Sequence, residues 1–141
     1  MYSRGHALVS GAIGIPLAVG ASSPNVSGGL LWGYVLLLGV GIDFDHFVIG
    51  RINRGDWTNF RRCIRNPAQI FVDQSTIFDQ GDIWRDQRLL SHLLIGGVLT
   101  AGLWVFDTYW AFATAVTVYA HMLADLYADI RTRDDYLDRS M

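Results

Sequence analysis

Four long apolar segments restrict the fold of this chain more than any other feature. They lie at about residues 6–22, 28–46, 89–106 and 108–128. Each approaches the roughly 20 residues that a helix needs to cross the hydrocarbon core of a bilayer. They are apolar on nearly all sides and lack the polar stripe of a water-facing helix. We therefore expect an all-α, polytopic membrane protein, in which four transmembrane helices form an up-down bundle within a single domain, residues 1–141.

Two other interpretations of the apolar segments are open at this stage. The first is a soluble helical bundle with an unusually apolar core. Against it, aromatic residues flank the turn around Asp107, as they do in the belt at a membrane interface. The second is a cleaved signal peptide over residues 1–21, because Arg4 precedes an apolar run that ends in small residues. Against this one, His6 would be lost although it fits the site described below.

The glycines of the first two segments predict tight packing between those helices. Small residues let helix backbones approach closely within a membrane, where lipid is as apolar as the side chains. A compact bundle is therefore expected, with close contacts at Gly11, Gly14, Gly20, Gly33, Gly39 and Gly41.

The arginines predict how the helices cross the membrane. All 11 basic residues are Arg and all 13 acidic residues are Asp. Every Arg lies before the first segment, between the second and third, or after the fourth, whereas the connections at 22–27 and at Asp107 contain none. By the positive-inside rule, both termini and the middle loop, about residues 47–88, are cytoplasmic in a multi-pass protein of the inner cell membrane. Aromatic residues and turn signals in that loop favour an ordered cap.

Composition excludes several classes of function. A net charge of −2 argues against a nucleic-acid partner, because there is no surplus of positive charge to displace counterions from a phosphate backbone. Cys63 is the only cysteine, so the chain forms no intramolecular disulfide and no CxxC zinc motif. A reactive thiol at Cys63 is a further but less favoured hypothesis. Metal ligands must therefore be His and Asp.

All four histidines lie at segment ends that up-down connectivity places on one side of the membrane. Asp and His also recur at helical spacing. Asp43 and His46 are three residues apart, and His121 and Asp125 are four apart. Any one of these residues alone is readily explained as an interfacial polar group. Together they favour a site for a divalent metal, foremost zinc, holding one to three ions through shared carboxylates, because ionisable groups in spans are costly and mark function. The predicted ligands are His6, Asp43, Asp45, His46, His92, His121 and Asp125.

Four motifs occur along most of the chain: His6 before a Gly-rich span, Asp43-Phe44-Asp45-His46, Ser91-His92 and His121-x-x-x-Asp125. Together they resemble a family of inner-membrane-associated, metal-dependent hydrolases of the YdjM type, also described as LexA-binding. Compared with that family, this chain lacks a proline in the second motif and one histidine before the third segment.

That resemblance implies an activity. The family is distantly similar to helical zinc-dependent phospholipase C and nuclease enzymes, whose His-x-x-x-Asp pairs hold a zinc cluster, so hydrolysis of a phosphoester is implied by analogy. Asp45 would then be a bridging ligand or proton acceptor and Arg88 would contact the phosphate. Arg88 is equally well explained as one of the cytoplasmic arginines that set the membrane topology. The leading hypothesis is a membrane-embedded hydrolase of a phospholipid or lipid-linked head group, with membrane lipid as its partner.

Two rival functions come from other classes. The first is a noncatalytic membrane scaffold, in which metal joins the helix ends and the cytoplasmic loop binds a cytosolic protein partner. A closed set of ligands would favour it. The second is a divalent-cation transporter, which is less favoured because the first three spans have no ionisable residue near mid-depth.

Overall fold

The computed structural model describes residues 3–21 and 27–133, and these are helical throughout apart from short connections. The all-α prediction is therefore confirmed for this part of the chain. Most of the predicted 22–27 connection and the C-terminal residues 134–141, with Arg139, lie outside it. The helices are α1 Ser3–Gly20, α2 Gly28–Gly41, α3 Asp45–Arg54, α4 Thr58–Arg65, α5 Gln69–Val72, α6 Arg85–Phe106 and α7 Thr108–Arg131, with 3-10 turns at Ile42–Phe44 and Gln74–Thr76.

The four long helices pack as a bundle around α7. Helix α1 contacts α2 and α7, α6 contacts α7, and α2 also reaches α7. A small apolar core of Leu17, Leu31, Val35 and Ala113 joins the first two helices to α7. The predicted turn at Asp107 precedes α7. The Asp107 carboxylate accepts hydrogen bonds from the backbone N–H groups of Tyr109 and Trp110, at 2.8 and 3.2 Å.

Helices α6 and α7 bury mainly small and polar side chains and expose large apolar ones. On α7, the buried positions are Ala, Thr, Val, His and Asp, and on α6 they are His92 and Gly96. Large apolar residues of α6 face outward instead, with Val98, Val105 and Phe106 72, 80 and 87% exposed. This distribution is the reverse of a water-soluble bundle, in which large apolar side chains fill the core.

Close approach between α1 and α2 depends on glycine. A Cβ atom at Gly39 would lie 1.7 Å from the hydroxyl oxygen of Ser10, and one at Gly14 would lie 2.9 Å from the ring of Trp32. The predicted glycine contacts are therefore present at these two positions. Gly33 and Gly41, by contrast, would meet nothing within 4 Å, so they do not serve helix packing.

The middle segment is an ordered cap, as predicted, although its first helix, α3, continues directly from α2 through the 3-10 turn. Phe47, Cys63 and Ile77 form its core, and burial raises the pKa of the Cys63 thiol, which does not favour a reactive cysteine. The buried Asp82 carboxylate accepts hydrogen bonds from Asn59 Nδ2 at 2.9 Å and from the backbone N–H of Asp79 at 2.8 Å. These bonds fix the end of the cap that leads into α6.

Ion pairs and turns reinforce the cap. Arg54 and Arg62 bind the Asp79 carboxylate at 2.5 and 2.8 Å, and these hydrogen bonds, led by that of Arg54, lower the pKa of Asp79. Gly55 ends α3 with a φ of +88°, a left-handed conformation that side chains other than glycine disfavour. Arg4 of α1 donates hydrogen bonds to the carbonyls of Phe71 and Val72, which joins the bundle to the cap.

Within the described residues, one helix meets both the length and the hydropathy of a membrane span. This is α6, whose most apolar 18-residue window has a mean hydropathy of 1.9. Helix α2 has only 14 residues before the 3-10 turn, and α1 contains Arg4, His6 and Pro16. Four spans therefore remain a prediction.

Replacing Gly39 by Ala should destabilise the bundle. The added methyl group would overlap Ser10, and forcing extra atoms into a packed interface costs about 1–3 kcal/mol. Thermal unfolding of the purified protein in detergent measures the change. Gly33→Ala is the matched control, because its methyl group enters open space on the same helix. Equal melting temperatures for the two variants would contradict the close contact between α1 and α2.

Candidate metal centre

The predicted ligands come together where the bundle meets the cap. Asp43 lies in the 3-10 turn after α2 and His46 lies in the first turn of α3. Residues three apart in consecutive helical turns lie on the same side, and Asp43 Oδ1 is 3.5 Å from His46 Nε2. The other helices complete the cluster, with His6 from α1, His92 from α6, and His121 and Asp125 from α7.

The cluster is buried. His6, His92 and His121 are each 1% exposed, and Asp125 and Asp43 are 4% and 7% exposed. Taking ionisable groups out of water costs free energy unless they are paired or bind a metal. The fold therefore has a strong physical requirement to neutralise these side chains.

One group of donors contains His6, Asp43, His121 and Asp125. His6 Nε2 lies 3.1 Å from Asp125 Oδ1 and 3.8 Å from Asp43 Oδ2. His121 Nε2 lies 3.3 Å from Asp43 Oδ1 and 3.5 Å from Asp125 Oδ2. The two imidazole rings stack with their centroids 3.7 Å apart. This group therefore offers one nitrogen or oxygen from each of four side chains to a common point.

A second group contains Asp43, His46 and His92. His92 Nε2 is 3.6 Å from Asp43 Oδ1, the same oxygen that faces His46 and His121. Asp45 adjoins this group, with Oδ1 3.3 Å from His92 Nε2 and 3.7 Å from His46 Nε2. Because Asp43 belongs to both groups, two ions held here would share its carboxylate.

A backbone hydrogen bond shows which nitrogen of His121 faces the carboxylates. Its Nδ1 lies 2.9 Å from the carbonyl oxygen of Gly39, and because a carbonyl only accepts, Nδ1 must donate. A neutral His121 therefore presents the bare lone pair of Nε2 to Asp43 and Asp125. Metal-ligating histidines are commonly oriented in this way by a carbonyl on their other nitrogen.

Distances within the cluster fit metal coordination better than direct hydrogen bonds. A charge-assisted N–H···O bond is about 2.7–2.9 Å long. In a tetrahedral site with bonds of about 2.0–2.1 Å, two donor atoms lie about 3.3–3.4 Å apart. Within the described chain, the following buried atoms make no hydrogen bond: both ring nitrogens of His6, both oxygens of Asp43, Asp45 Oδ1, and Nε2 of His46, His92 and His121. The donor set therefore fits a divalent cation.

Ser91 has a role that the sequence motif did not reveal. Its hydroxyl donates a short hydrogen bond to Asp45 Oδ2 and lies 2.9 Å from the carbonyl of Arg88. One oxygen of Asp45 is thus held by Ser91 while the other faces the histidines. Ser91 orients the carboxylate for which the sequence predicted a catalytic role.

Arg88 lies at the edge of the cluster, as expected for a residue one turn before His92, but it is already paired. Its Nη2 is 2.6 Å from Asp129 Oδ2, and its Nε is 3.4 Å from Asp125 Oδ2. These groups border a cleft of about 250 Å³ between α6 and α7 that also contains His92 and Arg85. Asp129 was not predicted as a site residue, although continuing the four-residue spacing from His121 through Asp125 would have indicated it.

Comparison with known proteins adds no relative. The family models, the curated proteins and the solved structures searched with this chain give no match. The resemblance to the YdjM-type hydrolases thus stays a prediction that rests on the motifs.

Substitution of the shared carboxylate should remove the most metal. We expect Asp43→Ala to lose ions from both groups, His121→Ala mainly from the four-donor group and His92→Ala mainly from the three-donor group. Elemental analysis of the purified variants measures the stoichiometry. Asp56→Ala, an exposed cap carboxylate, is the control. Unchanged metal content in all three site variants would rule the centre out.

Proposed function

We propose that this protein is a membrane-embedded, metal-dependent hydrolase of a phosphoester, such as a phospholipid or a lipid-linked head group. The observation that carries the proposal is the three-donor group of Asp43, His46 and His92 beside Asp45. Sites with three protein ligands keep a fourth position for water or substrate, whereas closed four-ligand sites are usually structural. The proposal agrees with the resemblance to the YdjM-type family.

The surface of the bundle supports a place in the membrane. Only 11% of the apolar window of α6 is buried, whereas the core helix of a soluble protein is mostly buried. This exposure supports the proposal that α6 contacts lipid. Exposed Leu, Val and Phe side chains on α6, together with buried Thr and His on α7, favour lipid as the solvent of the bundle.

The roles of individual side chains follow from their contacts. A bound divalent ion would supply Lewis-acid catalysis and activate water as a nucleophile near neutral pH. Asp45, held by Ser91, has one oxygen directed at the histidines and is placed to accept a proton from that water. Arg88 is anchored by Asp129 through Nη2. Its Nη1 is our candidate donor to a phosphate oxygen.

A metal-stapled scaffold is the second candidate, and the four-donor group favours it. This group draws its four donors from three parts of the bundle: His6 from α1, Asp43 from the 3-10 turn after α2, and His121 and Asp125 from α7. An ion bound by all four would hold these parts together. In this alternative the cap binds a cytosolic protein partner. The two candidates differ in whether the three-donor group turns over a substrate.

Membrane topology is tested by labelling engineered cysteines in a Cys63→Ser background. We predict that a membrane-impermeant thiol reagent added to intact cells labels Thr108→Cys, at the turn between α6 and α7, and spares Asn66→Cys in the cap. Both positions are solvent-exposed in the fold, so only sidedness should separate them. Labelling of Asn66→Cys with protection of Thr108→Cys would contradict the proposed orientation.

Catalysis is tested at Asp45 and Arg88. We predict that Asp45→Asn reduces turnover of a phosphoester by at least about a hundredfold while retaining most of the metal, because the amide cannot accept the proton. Arg88→Lys should keep the charge and raise KM, since lysine does not reproduce the geometry of a guanidinium. Metal analysis and steady-state kinetics in nanodiscs provide both measurements.

A matched arginine separates phosphate binding from structure. Arg85 lies on the same helix, lies 3.4 Å from the Asp129 carboxylate and binds the Asp129 carbonyl and Thr132. Arg85→Lys therefore perturbs the helix end and the shared carboxylate while leaving the Arg88 side chain in place. Similar KM values for the Arg85 and Arg88 variants would remove Arg88 from the proposed mechanism. A metal-loaded protein that hydrolyses no lipid or nucleotide phosphoester would favour the scaffold.

A further inference from the structure

The bundle has one seam that its helices do not close. Helix α6 packs on α7, and α2 packs on α1 and α7, but α2 and α6 scarcely touch within the described chain. A groove of about 500 Å³ lies between them. Four helices arranged in a ring would normally bury this fourth interface as well.

The groove is apolar along its length. Leu37 and Leu38 line it from α2, and Ile95 and Leu99 line it from α6. Tyr34 lies at the end nearer the middle of the bundle, where its hydroxyl is 2.6 Å from Thr114 Oγ1. The walls therefore suit a hydrocarbon and offer few partners to a polar ligand.

The other end of the groove reaches the metal centre. Asp45 lines it there, and the same carboxylate has Oδ1 3.3 Å from His92 Nε2. On α6, Ser91, Ile95 and Leu99 follow one another at four-residue spacing, so the face that holds Asp45 continues as the wall of the groove. A molecule in the groove would thus meet the ligands at one end only.

We propose that the groove between α2 and α6 holds the hydrocarbon chain of an amphiphilic substrate whose phosphate lies at Asp45 and the three-donor group. The inference rests on the proposed function and specifies its substrate as a lipid phosphoester that enters sideways from the bilayer.

A photoreactive lipid tests where the chain lies. The protein in nanodiscs is irradiated with a long-chain alkyl phosphate that carries a diazirine at the end of its chain, and the labelled peptides are identified by mass spectrometry. We expect labels to concentrate on residues 34–38 and 95–99, toward the end of the groove that lies away from Asp45. Filling the groove with Leu37→Trp or Leu99→Trp should reduce this labelling at least fivefold.

Two matched controls place the same substitution outside the groove. Leu30→Trp changes an equally exposed leucine on α2, and Val98→Trp changes the neighbour of Leu99 on α6. Neither residue lines the groove, so labelling should be unchanged. Labels spread evenly over the exposed helices, with no difference between the members of each pair, would overturn the inference.

Kinetics separate this inference from the hydrolase proposal. Leu37→Trp should lower kcat/KM for a long-chain alkyl phosphate about tenfold relative to a short, soluble phosphoester, because that factor corresponds to excluding roughly two methylene groups from an apolar site. Groove labelling without hydrolysis of either substrate would support the lipid site and reject the hydrolase. Hydrolysis of both substrates with an unchanged ratio in Leu37→Trp would support the hydrolase and reject the groove as the site of the chain.

Discussion

Histidine and aspartate side chains are buried together at one end of the bundle, and their charges must be neutralised for the helices to pack there. Three carboxylates, of Asp43, Asp45 and Asp125, lie among imidazoles, and the nearby Arg88 is shared with Asp129. Such a cluster is stable only if cations or protons neutralise it. Since Nδ1 of His121 donates to the Gly39 carbonyl, a neutral His121 directs the lone pair of Nε2 at oxygen atoms, an arrangement that a metal ion satisfies.

Close packing of the helices and the geometry of the centre are linked through the same residues. Gly39 brings α1 against α2 at Ser10, and its carbonyl oxygen orients His121 of α7. The 3-10 turn that follows α2 then directs Asp43 into both donor groups. A change in the crossing of α1 and α2 would therefore alter the positions of ligands on three helices.

The two donor groups have different chemical capacities. Four side chains surround the first, which suits an ion that holds helices together, whereas three surround the second, which leaves room for a reactant. The second group is also the one next to Asp45, the groove and the unclosed seam. This asymmetry would allow one ion to stabilise the fold while the other took part in chemistry, and it reconciles the scaffold and hydrolase hypotheses.

Local hydrophobicity, turn residues and helical spacing in the sequence are enough to predict the helical class, the turn at Asp107, the ordered cap and the His and Asp residues that the fold brings together. The sequence does not show how these residues divide into two donor groups or that Asp43 is common to both. It also does not reveal the hydrogen bond from Ser91 to Asp45, the ion pair between Arg88 and Asp129 or the open seam between α2 and α6. Those features depend on how helices distant in sequence cross and on which side chains meet there, and no local pattern encodes that geometry.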